Sequence, residues 1–344
     1  MVPDSGTCRI LKSSSFDPWF NLAQEQRLFQ TMADGERILL FWRNDPVVVI
    51  GRYQNPWREC RQALMARDGV ALARRQSGGG AVYHDRGNLC ITFMGGRVHF
   101  DRKANISLIA EALQDLGYPV TANDRNDLLL EGKKISGSAY RETSTKAFHH
   151  ATLLMDADLV RLSAYLAPKA TFTAVKGIAS VRSTVTNLKT AQPDMDLAEV
   201  EPAIARVFAN RCGLADDQAI VSVLPAPPAN TDGELAKQET LYKSWEWRFG
   251  GSPDFTARIE AEGDAPSSLD IEVKNGLITN CSLKFQVEGM DRSEHTVADL
   301  CIGLRFDGAS VANMLEQVAR SGTQRKDPHR VAVFRELAEK ALEL

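Results

Sequence analysis

Arg74 and Arg75 stand directly before Gln76-Ser77 and three consecutive glycines, Gly78, Gly79 and Gly80, and the chain resumes at once with Ala81-Val82-Tyr83-His84-Asp85. Ordering glycine costs conformational entropy, and glycine weakens the strands it interrupts. A run of three between the apolar stretches Val70 to Ala73 and Ala81 to Tyr83 therefore asks for a use. The plain reading is a loose loop with two solvated arginines. The flanks favour another: backbone N–H groups turned outward by glycine form an anion-binding concavity, and small residues admit a ligand close to the chain. Arginine beside such a nest supplies a planar, permanently charged fork for phosphate or carboxylate. An anion site is expected here.

Lys134 is the second candidate. It follows Lys133 and precedes Ile135-Ser136-Gly137-Ser138-Ala139-Tyr140, small residues that let a ligand lie against a strand. Alternation places Lys134 on the side of Ser136 and Ser138, opposite Ile135. Asn126 and Asp127 lie just upstream, across the hairpin tip Glu131-Gly132-Lys133-Lys134. A lysine aimed at a carboxylate and a phosphate would neutralise charge where two anions must meet. Other motifs fail: Gly132-Lys133 lacks the spacing and the following Ser/Thr of a P-loop, no GxGxxG opens a helix, and no HExxH occurs. His149-His150 sits in a strand pattern, where neighbours face opposite ways, so the pair cannot chelate one metal through both rings.

The elements that must carry these residues follow from periodicity. Asp17-Pro18 caps a helix whose apolar face includes Trp19, Leu22, Ala23, Phe29 and Met32. Ile38–Trp42 and Val47–Ile50 read as strands joined by the turn Arg43 to Pro46, and Arg58–Arg67 as a helix ending near Gly69. Strands are expected near 70–75, 80–84, 89–94, 128–130, 135–140 and 149–155, and helices over 105–116, 158–166 and 195–211. The stretch 171–188 is rich in Gly, Ser, Thr and Asn without a clean period, and reads as a long functional loop. Pro225–Gly233 is a compositional break. After a helix near 234–244 the pattern restarts at Phe255 with short strands around an Asn275-Gly276 turn, then helices near 295–304, 308–320 and 328–343. Two domains are expected, 1–245 carrying the chemistry and a smaller α+β accessory domain, 246–344.

Composition narrows the partners. A net charge of −3 gives no global argument for nucleic acid, so any basic site must be local. The N-terminus has no basic stretch leading into an apolar one, and no apolar run approaches the roughly 20 residues that span a bilayer. The six cysteines show neither CxxC nor zinc-ribbon spacing and read as reduced and structural. A cytoplasmic protein that binds neither nucleic acid nor membrane is expected.

Taken in order, FDPWFNLAQEQ, WRNDPVVVIGRYQNPWREC, RRQSGGGAVYHDRGN, RNDL, KKISGSAYRE, FHHATLL, KGIASVRSTVTNL and SWEWRFG resemble the lipoate–protein ligase A family along nearly the whole length. The resemblance implies an α+β fold: a class II synthetase/biotin-ligase-like catalytic domain, binding lipoate and ATP, with a C-terminal accessory domain. It implies activation of lipoate by ATP and Mg²⁺ to lipoyl-AMP, then transfer to a lysine of an acceptor protein. The acceptors it implies are lipoyl domains of 2-oxoacid dehydrogenase E2 subunits and the glycine-cleavage H protein, with the ligase acting as a monomer. By the same resemblance Arg75 contacts nucleotide, and Ser77, Gly78 and Gly79 belong to its loop. Gly80, Ala81, Val82 and Tyr83 line the ATP site, Asn126 and Asp127 the adenylate pocket, and Lys134 touches both substrates. Lys176 to Leu188, with Lys176 and Ser180, form the covering loop. Thr184 replaces a cation of the family pattern, and Asp124 a glycine. Two alternatives stay open: an octanoyl or lipoyl transferase using a pre-activated donor, although no cysteine lies near Lys134 in sequence, and a non-catalytic lipoate- or nucleotide-binding regulator.

Overall fold

The computed structural model describes residues 7–166, 172–173, 176–181, 183–226, 233–261, 267–287, 290–294, 298–320 and 328–343. The class is mixed α+β, with four separate sheets. None of the described helices is long and apolar enough to cross a membrane.

The chain forms two compact units, and they are not the contiguous segments 1–245 and 246–344. One comprises Met1–Arg52, Leu72–Leu162 and Ser180–Lys243; the other comprises Tyr53–Ala71, Ser163–Ala179 and Ser244–Leu344.

The first unit is built on a six-stranded sheet in the order Ser138–Glu142, Lys146–Leu154, Asn88–Gly96, Arg37–Trp42, Cys8–Ser13 and Val221–Leu224. The first four strands are antiparallel neighbours, and the last two pairings are parallel. Its apolar face packs Leu39, Phe41, Ile91 and Phe93 against Ile109 and Leu113 of the helix Arg102–Asp115 and Ile204 and Phe208 of the helix Val200–Arg211. Two three-stranded sheets carry the candidate residues. Ala71–Arg74, Val47–Ile50 and Val82–His84 frame the glycine loop, and Val120–Ala122, Leu128–Leu130 and Lys133–Ser136 present Lys134. The hairpin turn Glu131-Gly132 takes positive φ at both residues, 51° and 75°, as the tight twist of a two-residue connection demands.

The expected helix beginning at Pro18 is present over Pro18–Thr31, where the Asp17 carboxylate accepts from the N–H groups of Trp19 and Phe20 at 2.8 and 3.0 Å. One expectation needs correction, and two features of the topology were not foreseen. The expected strands at Ile38–Trp42 and Val47–Ile50 are present and joined by residues 43–46, but they belong to different sheets. The link between them is pinned by Asn21, whose Nδ2 donates to the Arg43 carbonyl and to Asn44 Oδ1, both at 2.9 Å. The 58–67 helix is two pieces, Pro56–Glu59 and Gln62–Arg67, because Cys60 is extended (φ −146°, ψ 157°). The parallel edge pair Cys8–Ser13 and Val221–Leu224 was not foreseen: CRILKS lacks alternation, and VSVL adjoins the proline-rich break.

The second unit packs a five-stranded antiparallel sheet, Phe172–Thr173, Phe255–Ala261, Ser267–Lys274, Leu277–Val287 and Met290–Glu294, against the helices Gly308–Arg320 and Pro328–Ala341. The foreseen Asn275-Gly276 turn has φ of 50° and 72°.

Candidate functional site

Arg75 sits behind the glycine loop rather than in front of it. Its Nη2 donates to the carbonyls of Gly78 and Gly80 at 2.6 and 2.7 Å, its Nε to Ser77 Oγ at 3.0 Å, and its Nη1 to the Val49 carbonyl at 3.1 Å. Burial pulls this guanidinium down to about 10, with the Glu25 carboxylate opposing, so it stays charged at neutral pH. The consequence for the loop follows from peptide geometry. In a trans peptide the C=O and the next N–H point opposite ways. Turning the Gly78 and Gly80 carbonyls inward aims the N–H groups of Gly79 and Ala81 outward. The Ala81 N–H meets Ser180 Oγ at 2.9 Å. Among the described residues, nothing accepts from the N–H groups of Gly78, Gly79 or Gly80. The loop is an oriented set of donors held by a buried cation.

The three glycines are not equivalent. Gly79 has φ +87°, and a Cβ there would come within 2.9 Å of Arg75 Nη2. A Cβ on Gly80 would press Ser180 Oγ at 3.1 Å, whereas one on Gly78 meets nothing. Gly51, which sequence reasoning missed, is the tightest contact: its Cβ would fall 2.3 Å from the Gly79 carbonyl oxygen. Val82 and Tyr83 continue into a strand paired with Val49 and Val48, and the Tyr83 side chain is buried.

A relay of contacts runs from this loop towards Lys134. Gly79 approaches Ala139, and the neighbouring Ser138 Oγ donates to the Asn126 carbonyl at 3.0 Å. Asn126 (φ 59°) and Asp127 ride on a turn built by Asn123, whose Oδ1 accepts from the N–H groups of Arg125 and Asp127 at 2.9 and 3.0 Å. Asn123 is a second missed residue; an Asx-turn signal before Arg125-Asn126-Asp127 would have found it. Lys134 Nζ pairs with Asp127 Oδ1 at 2.8 Å and folds back over Gly137, where a Cβ would meet it at 3.2 Å. Alternation past Ser136 does not hold, because the strand ends there and Ser138 starts a strand of another sheet.

Both backbone groups of Lys134 are taken by the long loop: its N–H donates to the Thr184 carbonyl at 2.9 Å, and its carbonyl accepts from the Thr186 N–H at 3.0 Å. The pair lines a cavity of about 430 Å³ with Asn123, Asp124, Arg125, Leu129, Gly132, Ser183 and Thr184, within the size range of small-molecule sites. Thr184 and Asp124, the two departures from the family pattern, are both in its wall. Of the remaining loop residues, Lys176 belongs to the second unit, its N–H on the Asp254 carbonyl at 3.3 Å, while 171, 174, 175 and 182 lie outside the described residues.

His149 and His150 do face opposite ways, to Ser138 Oγ at 3.0 Å and to Glu25 and Ser77 respectively. Burial lowers His149 to about 3 and His84 likewise to about 3, so both are neutral near pH 7. Among the described residues no group of three or more His, Cys, Asp or Glu is placed to hold a metal ion.

The site offers a lysine in a cavity wall and, reached through Ser138 and Ala139, a loop with an outward N–H donor, groups that suit anions. Solved structures share the fold. LipL1 of P. falciparum in complex with lipoate is 24% identical, with a TM-score of 0.62 over 96% of this chain and 100% of that one. A lipoate–protein ligase A bound with ATP is 25% identical, with a TM-score of 0.57 over 71% of this chain and 98% of its own. The bipartite lipoate protein ligase of Thermoplasma acidophilum, solved in a study of that ligase and its E2 lipoyl domain, is 24% identical, with a TM-score of 0.55 over 71% and 95%. The model of the lipoyl protein ligase A/B catalytic domain matches residues 17–209, more than half of the chain, which therefore belongs to the lipoate–protein ligase family.

Proposed function

We propose that this ligase activates free lipoate with ATP and then acylates a lysine of an acceptor protein. In the first half-reaction a lipoate carboxylate oxygen bonds to the α-phosphorus and the bond to the β-phosphate oxygen breaks, giving lipoyl-AMP and pyrophosphate. In the second, an acceptor amine attacks the acyl carbon, a C–N bond replaces the C–O bond, the amine loses a proton and AMP departs.

The observation that carries this reading is the Lys134 ammonium in the wall of a cavity of about 430 Å³, linked through Asp127, Asn126 and Ser138 to the strand that Gly79 of the Arg75-held loop approaches at Ala139. The first step needs preorganised positive charge at the phosphate and carboxylate rather than a nucleophilic side chain. Lys134 supplies a mobile cation. The outward-aimed Gly79 N–H supplies a fixed dipole, and Arg75 contributes its charge through the loop it holds. Magnesium suits such a site as an ion carried on the phosphates, which needs only one or two protein carboxylates. Asp124 and Asp127 line the cavity and are the residues to hold it. Bound, it would offset phosphate charge. The 171–188 loop, which already pairs with Lys134 through Thr184 and Thr186, serves as the cover that keeps water from the mixed anhydride. The expected acceptors are lipoyl domains of 2-oxoacid dehydrogenase E2 subunits and the glycine-cleavage H protein, met in the cytoplasm by a monomeric ligase.

The test is pyrophosphate release from ATP with lipoate, followed by mass analysis of an added lipoyl domain. Release that depends on lipoate, and a lipoyl mass increase on the acceptor lysine, are expected. Acylation from a lipoyl or octanoyl thioester with no requirement for ATP would overturn the reading in favour of a transferase. Ligand binding with neither half-reaction would leave a regulator.

A further inference from the structure

Behind the glycine loop a chain of buried polar groups runs across the first unit, and the two half-reactions described above give it no part. Arg75 Nε donates to Ser77 Oγ at 3.0 Å; Ser77 Oγ lies 2.7 Å from His150 Nε2; His150 Nδ1 lies 3.0 Å from Glu25 Oε1. From the other side Trp42 Nε1 donates to Thr92 Oγ1 at 3.0 Å, and Thr92 Oγ1 to the same Glu25 oxygen at 2.7 Å. Each of the six residues is buried.

Proton accounting gives one arrangement in which every donor of this chain has a near acceptor. The Trp42 indole can only donate, so the Thr92 hydroxyl proton is free to go to Glu25. Ser77 Oγ receives Arg75 Nε–H and has one proton to give. The geometry that uses it well is His150 Nε2, since the alternative acceptor, the Gly78 carbonyl, is 3.5 Å away. His150 Nε2 is then an acceptor, and the neutral ring carries its proton on Nδ1, directed at the Glu25 carboxylate. The chain therefore joins a buried cation to a buried anion through a neutral imidazole and a hydroxyl. Buried charges require this kind of partnering, and each link leaves no buried donor unmatched.

We propose that His150 is a positioning residue for lipoate activation. As the Nδ1–H tautomer it orients the Ser77 hydroxyl, which frees the Gly78 carbonyl for Arg75 and so aims the loop N–H groups outward. The claim rests on the reading of that loop as the activation site. Glu25 anchors the ring, and Thr92 and Trp42 anchor Glu25.

The amide ends of asparagine and glutamine separate the two arms of the ring. In His150→Asn the amide reaches the Nδ1 position, keeps a donor for Glu25 and leaves Ser77 without its acceptor. In His150→Gln the amide reaches the Nε2 position and keeps that acceptor. Pyrophosphate release should fall about tenfold to a hundredfold in kcat for the asparagine variant, the scale of one hydrogen bond to a charged group. The glutamine variant should stay well above it, and transfer from supplied lipoyl-AMP should be little changed in either. Equal rates for the two folded variants would overturn the proposal. Nitrogen-15 spectra of the wild-type histidines give a second readout that needs no variant. His149 donates from Nε2, and His84 accepts at Nδ1 from Asn44 Nδ2 at 3.0 Å, so His150 should stand apart from both as a buried ring protonated at Nδ1. A ring in contact with Ser77 but protonated at Nε2 would refute the assignment whatever the activity. Wild-type protein that releases no pyrophosphate would count against the proposed function, and the tautomer would still decide the inference.

Discussion

Lys134 Nζ stands 2.8 Å from Asp127 Oδ1, and Thr184 and Thr186 are hydrogen-bonded to the backbone of the same lysine. The lysine side chain is 25% exposed, so the pair is partly solvated and contributes little to folding, roughly 0.2–1 kcal/mol. Lys134→Ala is therefore expected to keep its unfolding free energy within about 1 kcal/mol of the parent while losing lipoate-dependent pyrophosphate release. Asp127→Asn should keep part of the activity, because it removes the counter-ion and leaves the cation. A folded Lys134→Ala protein with normal release would remove Lys134 from the mechanism.

The same pairing makes the covering loop measurable. The N–H groups of Lys134 and Thr186 are two of the donors that tie it down. Hydrogen exchange at both should slow when a non-hydrolysable lipoyl-adenylate analogue is added, since closure would protect them further. Unchanged exchange with the analogue demonstrably bound would show that this segment does not act as a cover.

The glycine run gives a graded prediction. Gly79→Ala must take φ +87° and press Arg75 Nη2, so it should cost about 1–2 kcal/mol from the left-handed backbone alone and lose most activation. Gly78→Ala meets no atom and should retain near-parental stability. Gly51→Ala, against the Gly79 carbonyl, should be the most disruptive of the three. Urea unfolding with pyrophosphate release, measured on all three, checks the order; Gly78→Ala as damaging as Gly51→Ala would contradict it.

Much of this site was legible from residue type and spacing. The hairpin tip, the glycine loop and the approach of Asp127 to Lys134 all follow from local chemistry: positive-φ residues at turns, small residues at close approaches, alternation in short strands. What Arg75 does was not legible, because its acceptors at Val49, Gly78 and Gly80 are chosen by how the loop folds over it. Neither was the Glu25–His150–Ser77 chain, whose members lie up to 125 positions apart and meet only through tertiary packing. Gly51 escaped for a related reason: a lone glycine after an apolar strand shows its purpose only when Gly79 arrives against it. The missed strand pair Cys8–Ser13 and Val221–Leu224 is the extreme case, since a parallel edge has no local turn to announce it.

Two buried histidines set an acid limit on stability. His84 and His149 are each lowered to about 3, chiefly by burial, against an unfolded value near 6.5. Between those values the unfolded chain binds protons that the folded chain does not, so stability falls as pH drops below about 6.5. The slope per histidine is at most about 1.4 kcal/mol per pH unit. Unfolding free energies between pH 6.5 and 5, where most carboxylates are still ionised, should show this decline, and His149→Gln should make it shallower. A flat profile over that interval would mean that the two rings take up protons in the folded state.

The second unit draws on sequence far from the C-terminal segment, and Trp57 shows why a cut at residue 245 does not separate two bodies. Asn55 caps the short helix Pro56–Glu59 by accepting from the Trp57 and Arg58 N–H groups at 3.0 and 3.2 Å. That cap fixes Trp57 in a cluster with Phe249, Phe255 and Phe306, at ring-centroid distances of 5.5, 5.1 and 5.3 Å. The indole is 3% exposed, so deleting it leaves a cavity walled by three aromatic rings. Trp57→Ala should cost about 3–5 kcal/mol in the unfolding of this unit. A chain ending at Lys243 would lack all three phenylalanines, exposing Trp57 and shifting its fluorescence to the red. Because the cut also removes Trp245 and Trp247, the full-length comparison is made with Trp245→Phe and Trp247→Phe in place, and Trp19 and Trp42 of the first unit provide the internal reference. Should the truncated chain keep the full-length emission and the substitution cost less than about 1 kcal/mol, Trp57 would not be a core residue of the second unit, and the contiguous division at 245 would describe how the chain folds.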